Sequence, residues 1–275
     1  MIAQLSPAAL AFDAIASDFD GRFGAWASVA AQRRAVRAAL LRVFPPKGRI
    51  LELGGGTGED AAFLAGRGYD LFLTDSSPRM VSIAKSKLAP FGARAEELAL
   101  EDLENFATRR CNEGAEQFDG AFSNFAPLNC VTDLGPVARG LAKILKPNAA
   151  AMLVVFGVAC PGEIATELLH GRPDHAFRRL RRHESSARLA GRKFSVVYHR
   201  TNELKRAFAP WFALEKRLGI GVAVPPSAAE PWISRHSRLL RAMEAVDKLA
   251  SRPLASLGDH VLYQFRRNSA PWVEA

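Results

Sequence analysis

The sequence predicts an α/β chain: a doubly wound, mostly parallel sheet with helices on both faces, followed by a C-terminal α+β cap. Three observations carry that prediction. A short apolar strand, Arg49-Ile-Leu-Glu-Leu53, runs directly into Gly54-Gly-Gly-Thr-Gly58, and a helical segment, Glu59 to Ala65, follows at once. A second strand, Asp70-Leu-Phe-Leu-Thr74, ends on Asp75, 21 residues after Gly54. That is the spacing at which such a sheet places a carboxylate near a ribose. Beyond it, apolar strand-like and helical stretches alternate as far as Phe156, the pattern that builds parallel βαβ units.

The elements follow in order. Residues 8–44 read as helical, rich in Ala, Leu, Val and Arg, with no proline between Pro7 and Pro45. Pro45-Pro46-Lys47-Gly48 stops that helix and leads into the first strand. Gly54, Gly56 and Gly58 remove Cβ atoms where the chain turns and a ligand approaches the backbone, and the helix after them points free N–H groups into the loop. Ser77-Pro78 opens the next helix, with Met80, Val81, Ile83 and Ala84 on its apolar face. Ala93 to Leu100 is a third strand, and Glu101-Asp102-Leu103 follows it. Phe118 to Asn124 is the fourth strand, Val137 to Leu145 a helix, and Ala150 to Phe156 the fifth strand after a turn at Lys146-Pro147-Asn148. Ligands of such sheets bind outside the carboxyl ends of the strands, so residues 54–58, 75–80, 101–103 and 123–129 are expected around one crevice.

After Phe156 the pattern changes. Residues 160–190 read as helical, Lys193 to His199 as a strand, Asn202 to Phe208 as a helix, and Trp211 to Leu218 as extended. Trp232 to Leu249 is a helix and Gly258 to Phe265 a last strand. The expected organisation is a helical lid (1–45), a cofactor-binding core (46–157), a basic cap (158–255), and a final strand with a tail (256–275).

Composition narrows the class of protein. At 275 residues and 48% apolar content the chain can form one large α/β domain with a smaller cap. No apolar run is long enough to span a membrane, and Met1-Ile-Ala-Gln-Leu-Ser-Pro lacks the features of a signal peptide. Cys111, Cys130 and Cys160 form no C-x-x-C, so neither a disulfide framework nor a metal site is expected, and a cytoplasmic setting is. Residues 160–255 hold 18 Lys and Arg against 9 Asp and Glu, so this stretch alone accounts for the net charge of +9. Its densest run is Arg178-Arg-Leu-Arg-Arg-His183. A solvated helix face explains it, and so does an acidic acceptor, an anionic membrane or nucleic acid.

The glycines at 54, 56 and 58 depart from the dinucleotide fingerprint G-x-G-x-x-G. Glu52-x-Gly-x-Gly-x-Gly with Asp75 after the second strand instead resembles motif I of the class I S-adenosylmethionine-dependent methyltransferases. That resemblance implies a Rossmann-like core and S-adenosylmethionine as cofactor. It places Glu52 on the methionyl ammonium, Gly54, Gly55, Gly56 and Gly58 beneath the methionine and ribose, and Asp75 on the ribose hydroxyls. Ser76 and Met80 fall where the family lines the adenine, and Glu101, Asp102 and Leu103 where it closes on the ring, with Asp102 on the amino group. Phe12-Asp13-Ala-Ile15-Ala-Ser-Asp-Phe19-Asp20 resembles the N-terminal Tyr-Asp lid of small-molecule methyltransferases, with Phe12 and Phe19 in place of tyrosines.

Ser123-Asn124-Phe-Ala-Pro-Leu-Asn129-Cys130 occupies the motif IV position and departs from the Asn-Pro-Pro-Tyr type that modifies nucleic-acid bases or protein glutamine. It is similar to a bacterial subgroup associated with small molecules and secondary metabolism. Ser123 and Asn124 are placed at the cofactor and Asn129 at the acceptor. Methyl transfer from an activated sulfonium needs alignment and water exclusion more than a base. Where a base is used, His260 after Asp259 and the Tyr198-His199 strand end are the first candidates, ahead of His170, His175, His183 and His236, with Glu163 near the pocket. The expected reaction is therefore transfer to oxygen or nitrogen of a small organic acceptor, an acidic one among the options. An RNA methyltransferase, a peripheral lipid-intermediate methyltransferase and a non-catalytic cofactor binder are the alternatives; no RNA-binding module is recognisable, and the 172–193 segment has only a modest apolar face.

Overall fold

The structure, a computed structural model, describes residues 5–269 apart from Ala126 and Arg182. The N-terminal region forms three helices where the sequence suggests one: α1 (Pro7–Asp13), α2 (Phe19–Gly24) and α3 (Ala27–Val43). Ser6 caps α1 by accepting from the Ala9 N–H, and Pro7 fits its first turn. Tertiary bonds from Asp13 and Asp20, described below, hold α1 and α2 at angles a continuous helix would forbid. Phe44 is extended, as the following proline requires, and ends α3.

The core then alternates as predicted: β1 (Arg49–Leu53), α4 (Glu59–Ala65), β2 (Asp70–Asp75), α5 (Pro78–Leu88), β3 (Arg94–Glu97), α6 (Leu103–Asn112), β4 (Phe118–Ser123), α7 (Gly135–Ile144) and β5 (Leu145–Phe156). The third strand is shorter than expected. Past Glu97 only Leu98 holds the sheet edge, through its N–H to Asp75 O, before a 3₁₀ turn at Leu100–Asp102. The fifth strand begins earlier than expected: Phe118 pairs with Leu145, and a register shift separates that pair from Gly120 with Ala150.

After β5 come α8 (Pro161–Leu169), α9 (Pro173–Ala176), α10 (Arg178–Arg181), β6 (Glu184–Leu189) and β7 (Arg192–Val197). The helical expectation for 160–190 fails over its last third, because β6 and β7 form an antiparallel hairpin. Its two-residue turn, Ala190-Gly191, has φ of 50° and 76°, the left-handed pair that matches strand twist. An alanine in the first of those positions carries none of the usual hairpin signal. Arg182, in the basic run, lies outside the described residues.

The chain returns through α11 (Thr201–Phe208), β8 (Phe212–Ile220), α12 (Ser237–Ala250) and β9 (His260–Arg267). The main sheet runs β3-β2-β1-β4-β5-β9-β8. β1 pairs in parallel with β2 and β4, β2 with β3, and β4 with β5. β9 is antiparallel between β5 and β8. The stretch 158–255 is thus not wholly outside the sheet: β8 is its edge strand, and α11 packs beneath it through Leu204 and Phe208. Both faces of the sheet are covered. Leu51, Phe72, Phe118 and Leu153 meet α6 and α7 on one side, and Ile50, Leu73, Phe122 and Met152 meet α3, α4 and α5 on the other. Strands covered twice read as continuous apolar runs, which is why they were legible. Each fully buried Leu or Phe contributes about 1.5–3 kcal/mol. Among the described residues no helix is long and apolar enough to cross a membrane.

Candidate methyl-transfer site

The site is built at the carboxyl ends of β1, β2 and β4. Gly54 turns the chain with φ +63°, and a Cβ there would sit 2.4 Å from Pro127 Cβ, so the approach of the loop after β4 demands glycine. Gly56 also has a left-handed φ, +55°, but its missing Cβ faces open space with nothing within 4 Å. That position keeps the floor of the cleft free for a ligand. Gly58 caps α4, again left-handed. Asp75 fixes this loop: Oδ2 accepts from the Gly56 N–H at 2.8 Å and Oδ1 from the Ser77 N–H at 2.9 Å. Burial raises the Asp75 carboxyl, and these backbone donors offset part of that rise.

Glu52 is buried at the end of β1, and its Oε2 has no hydrogen-bond partner among the described residues. Burial pushes its carboxyl well above the usual range, and the neighbouring Asp60 carboxylate pushes it further, while Arg33 and Arg37 pull it back. Asp60 is itself paired, accepting from Arg37 Nε at 2.6 Å and from Asn124 Nδ2 at 2.7 Å. An unpaired buried carboxylate oxygen costs about 1–3 kcal/mol, so Glu52 is poised for a cationic donor.

The cleft around these groups encloses about 1030 Å³, its open mouth included. Ser6, Ala8, Ala9 and Phe12 of α1 close it as a lid, together with Phe19. The lid is stapled down by two aspartates. Asp13 accepts from Ser77 Oγ at 2.8 Å and from the Arg79 N–H at 2.9 Å. Asp20 accepts from Thr57 Oγ1 at 2.5 Å and pairs with Lys87 at 2.7 Å. Further along, Ser76, Met80, Leu98, Leu100, Glu101, Cys130 and Val131 form an apolar slot.

Several predicted site residues prove to stand elsewhere. Glu101 lines the cleft, but Asp102 and Leu103 do not. The 3₁₀ turn advances about 120° per residue, and it sets Leu100 and Glu101 toward the cleft while Asp102 is turned away. Leu103 is fully buried against Gly140, where a Cβ would meet its backbone at 2.8 Å. Ser123 lies behind the cleft, donating to Leu53 O at 3.0 Å, whereas Asn124 lines it. Asn129 is fully buried and spent on backbone: Nδ2 donates to Val197 O, and Oδ1 accepts from the Phe156 N–H at 2.9 Å. It ties the loop after β4 to β5 and β7 and is not among the residues that line the cleft. Tyr198 is buried outside the cleft, its ring 6.3 Å from that of Phe156. Ala126 of the same loop lies outside the described residues.

His260 stacks on Phe156 at 4.9 Å, with the edge of Phe125 at 5.5 Å. Phe125 lines the cleft and His260 does not, so the imidazole stands one ring behind the wall. Its Nδ1 is 3.4 Å from Asp259 Oδ2. Burial acts to raise the Asp259 carboxyl, but His260 and Arg179 outweigh it and hold the group below its usual range. Arg179 also pairs with Glu163, so Glu163 belongs to this buried network and not to the cleft. Cys160, in the same network, has its thiol pushed up to about 12 by burial. His199 donates through Nε2–H toward Leu128 O (3.0 Å) and Val131 O (2.9 Å), which makes it a clamp on the loop after β4. Sequence reasoning missed Arg33, Leu98 and Leu100 as wall residues, of which the two leucines carried a signal as apolar flanks of the third strand, while Phe125 falls in the 123–129 segment expected at the crevice.

A family profile described as a methyltransferase domain matches residues 28–209. The chain belongs to that family. Among curated proteins none gives a significant match. Three solved structures of similar fold frame the methyltransferase. An S-adenosylmethionine-dependent methyltransferase from Mesorhizobium loti is 17% identical, covers 86% of this chain and 98% of its own, and superposes with a TM-score of 0.53. DhpI, in complex with SAH, is 16% identical over 96% of this chain and 97% of its own, with a TM-score of 0.55. The [4+2]-cyclase SpnF is 14% identical over 86% and 82%, with a TM-score of 0.52. At these identities the likeness is one of fold.

The residues of the methyltransferase fit S-adenosylmethionine. Glu52 Oε2 is a buried acceptor awaiting a donor, Gly56 leaves space under a ligand, and Asp75 keeps lone pairs beyond its two backbone bonds. The slot from Met80 to Val131 suits a flat apolar ring.

Proposed function

We propose that this methyltransferase moves the methyl group of S-adenosylmethionine to an oxygen or nitrogen atom of a small organic acceptor. The observation that carries the reading is the unpartnered, buried Glu52 Oε2 beside a glycine loop held open by Asp75. When bound, S-adenosylmethionine supplies an electrophilic methyl on a sulfonium. Glu52 would then hold the methionyl ammonium, and Asp75 the ribose hydroxyls. Met80, Leu98 and Leu100 would enclose the adenine. Glu101, at the rim of the same slot, stands nearest the adenine in sequence terms, taking over the position first expected of Asp102.

A lid of α1 residues stapled over the cleft supports a small acceptor, because it covers part of the approach that a polymer would need. Phe12, Phe19 and Phe125 would exclude water and hold the acceptor in line with the sulfonium. No histidine lines the cleft among the described residues. The acceptor is therefore taken to be one already unprotonated at neutral pH, as a carboxylate or an imidazole-type ring nitrogen is, so that no side-chain base has to remove a proton. His260 would act only if the Phe125 ring moved aside.

Calorimetric titration with S-adenosylmethionine, S-adenosylhomocysteine and NAD in parallel tests the cofactor. Binding of the first two alone is expected, and binding of NAD alone would return the sheet to a dehydrogenase reading. Methyl-tritiated S-adenosylmethionine, offered with pools of small phenols, acids and amines, with RNA and with lipid extract, tests the acceptor. Label in the small-molecule pool is expected, and label confined to RNA or lipid would sink that part. A second reading has one observation behind it: SpnF, of similar fold, is a cyclase. Tight cofactor binding with no transfer to any pool would favour a protein that binds the cofactor for another purpose.

A further inference from the structure

The exposed half of α12 is divided lengthwise into an apolar band and a basic one. Leu240 anchors the helix to the body of the protein with Ile233 and Val224, and Met243 packs against the same cluster. Glu244 and Asp247, the only acids between residues 231 and 257, are engaged by that body too. Glu244 pairs with Arg34, and Asp247 accepts from the Ala223 and Val224 N–H groups.

On the outward side Leu239, Ala242, Val246 and Leu249 recur at three- and four-residue spacing, so they form one stripe about 15 Å long. The stripe faces solvent: Leu239 is 39%, Val246 52% and Leu249 83% exposed. Beside it stand Arg238, Arg241 and Lys248, with Arg235 just before the helix and Arg252 just after. All five cations are exposed, and among the described residues none of their side chains has an ion pair or hydrogen bond.

We propose that α12 docks the protein on an anionic membrane surface, its apolar stripe at the acyl-chain boundary and its cations among the lipid phosphates. Such a surface meets both bands at once, and the long arginine and lysine stems let the charges reach the headgroups while the stripe sinks. Other occupants meet only one band. A nucleic acid takes the cations and gains nothing from leucine and valine. A second copy, related by a two-fold axis, sets the basic band against its own counterpart. α12 lines neither the cleft nor the smaller cavity between α2, α3 and α4, so the face offers area and charge but no hole for a protein partner's anchoring side chain. Docking fixes where the protein sits, not what it methylates, and does not rest on the cofactor reading.

Co-flotation of the full chain with vesicles tests this, one set of phosphatidylcholine and one with phosphatidylglycerol as a third of the lipid. The wild type should float with the anionic set, stay behind with the neutral one, and leave the vesicles as salt rises. Val246→Ser with Leu249→Ser should weaken partition about 10-fold or more. Arg238→Gln with Arg241→Gln should weaken it about 30-fold. These side chains are exposed and outside the cleft, so thermal melts and S-adenosylhomocysteine affinity should match the wild type in both pairs. The proposal is overturned if anionic vesicles leave the wild type behind. It is also overturned if the serine pair floats as well as the wild type, since the helix is then a charged surface open to RNA or any polyanion. Dimers in sedimentation that the serine pair dissolves, without vesicle binding, would assign the face to a second copy instead.

Discussion

Glu52→Gln should make the protein more stable and a poorer cofactor binder at once. In the free protein Glu52 Oε2 is buried without a partner and sits near the Asp60 carboxylate, so its ionised form is opposed by burial and by like charge. A glutamine of the same shape removes the charge and can donate toward Asp60. Relieving one unpartnered buried charged oxygen is worth about 1–3 kcal/mol. For a chain of this size each kcal/mol moves the melting temperature by about 2–4 °C. The free variant should therefore melt a few degrees above the wild type at pH 8. The same change removes the charge-assisted bond to the methionyl ammonium, worth about 1.5–3 kcal/mol, so S-adenosylhomocysteine affinity should fall about 10- to 150-fold. Thermal melts followed by circular dichroism, with calorimetric titration, read both. A variant that melts lower and binds as tightly as the wild type would refute the role given to Glu52.

Other outcomes follow from the same geometry. Removing Asp75 (Asp75→Ala) takes the acceptors from the Gly56 and Ser77 N–H groups and from the ribose, so cofactor affinity should drop about tenfold or more; unchanged affinity in titration would end its assignment. Asn129→Ala leaves Val197 O and the Phe156 N–H buried and unpaired, and should cost about 2–4 kcal/mol in urea unfolding; loss of turnover with undiminished stability would restore it to the acceptor site. The raised Glu52 carboxyl gives a pH signature. The free fold binds a proton there that the unfolded chain has released, so this group's contribution to stability falls as pH rises above about 4.5. An ammonium favours the ionised form, so S-adenosylhomocysteine affinity should rise with pH over the same window more steeply than that of 5′-methylthioadenosine, which shares only the ribose contact to Asp75; equal slopes would contradict the role of the raised Glu52 carboxyl. Burial lowers the His199 imidazole, so folding opposes its protonation, and stability should fall as pH drops below about 6.5. His199→Gln should flatten that loss in acid melts.

The local order of the chain was legible because local chemistry decides it. Apolar runs at 49–53, 70–75, 118–123 and 150–156 read as strands covered on both faces, and the glycines at 54, 56 and 58 answer a demand for left-handed backbone that glycine meets at least cost. Glu52 and Asp75 follow, since a strand end and a loop fix their places without help from distant sequence. What lay beyond local reach needed partners far along the chain. Asn129 looks the same in sequence whether it faces a ligand or two backbone groups 27 and 68 residues away. His260 follows an acid and opens a strand, but the Phe125 ring between it and the cleft comes from another loop. Whether Glu101 or Asp102 lines the cleft depends on the phase of one short 3₁₀ turn, and that phase is fixed by the helix that starts at Leu103, packed on Gly140. β8 reads as an isolated extended segment until β9 returns to pair with it. Sequence by itself determined the parallel part of the sheet, the glycine loop and the places of Glu52 and Asp75 beside it, because backbone conformation and burial periodicity are local properties. The tertiary structure decided which polar groups are already satisfied and which still wait for a ligand, because hydrogen bonding is settled between residues that the chain brings together last.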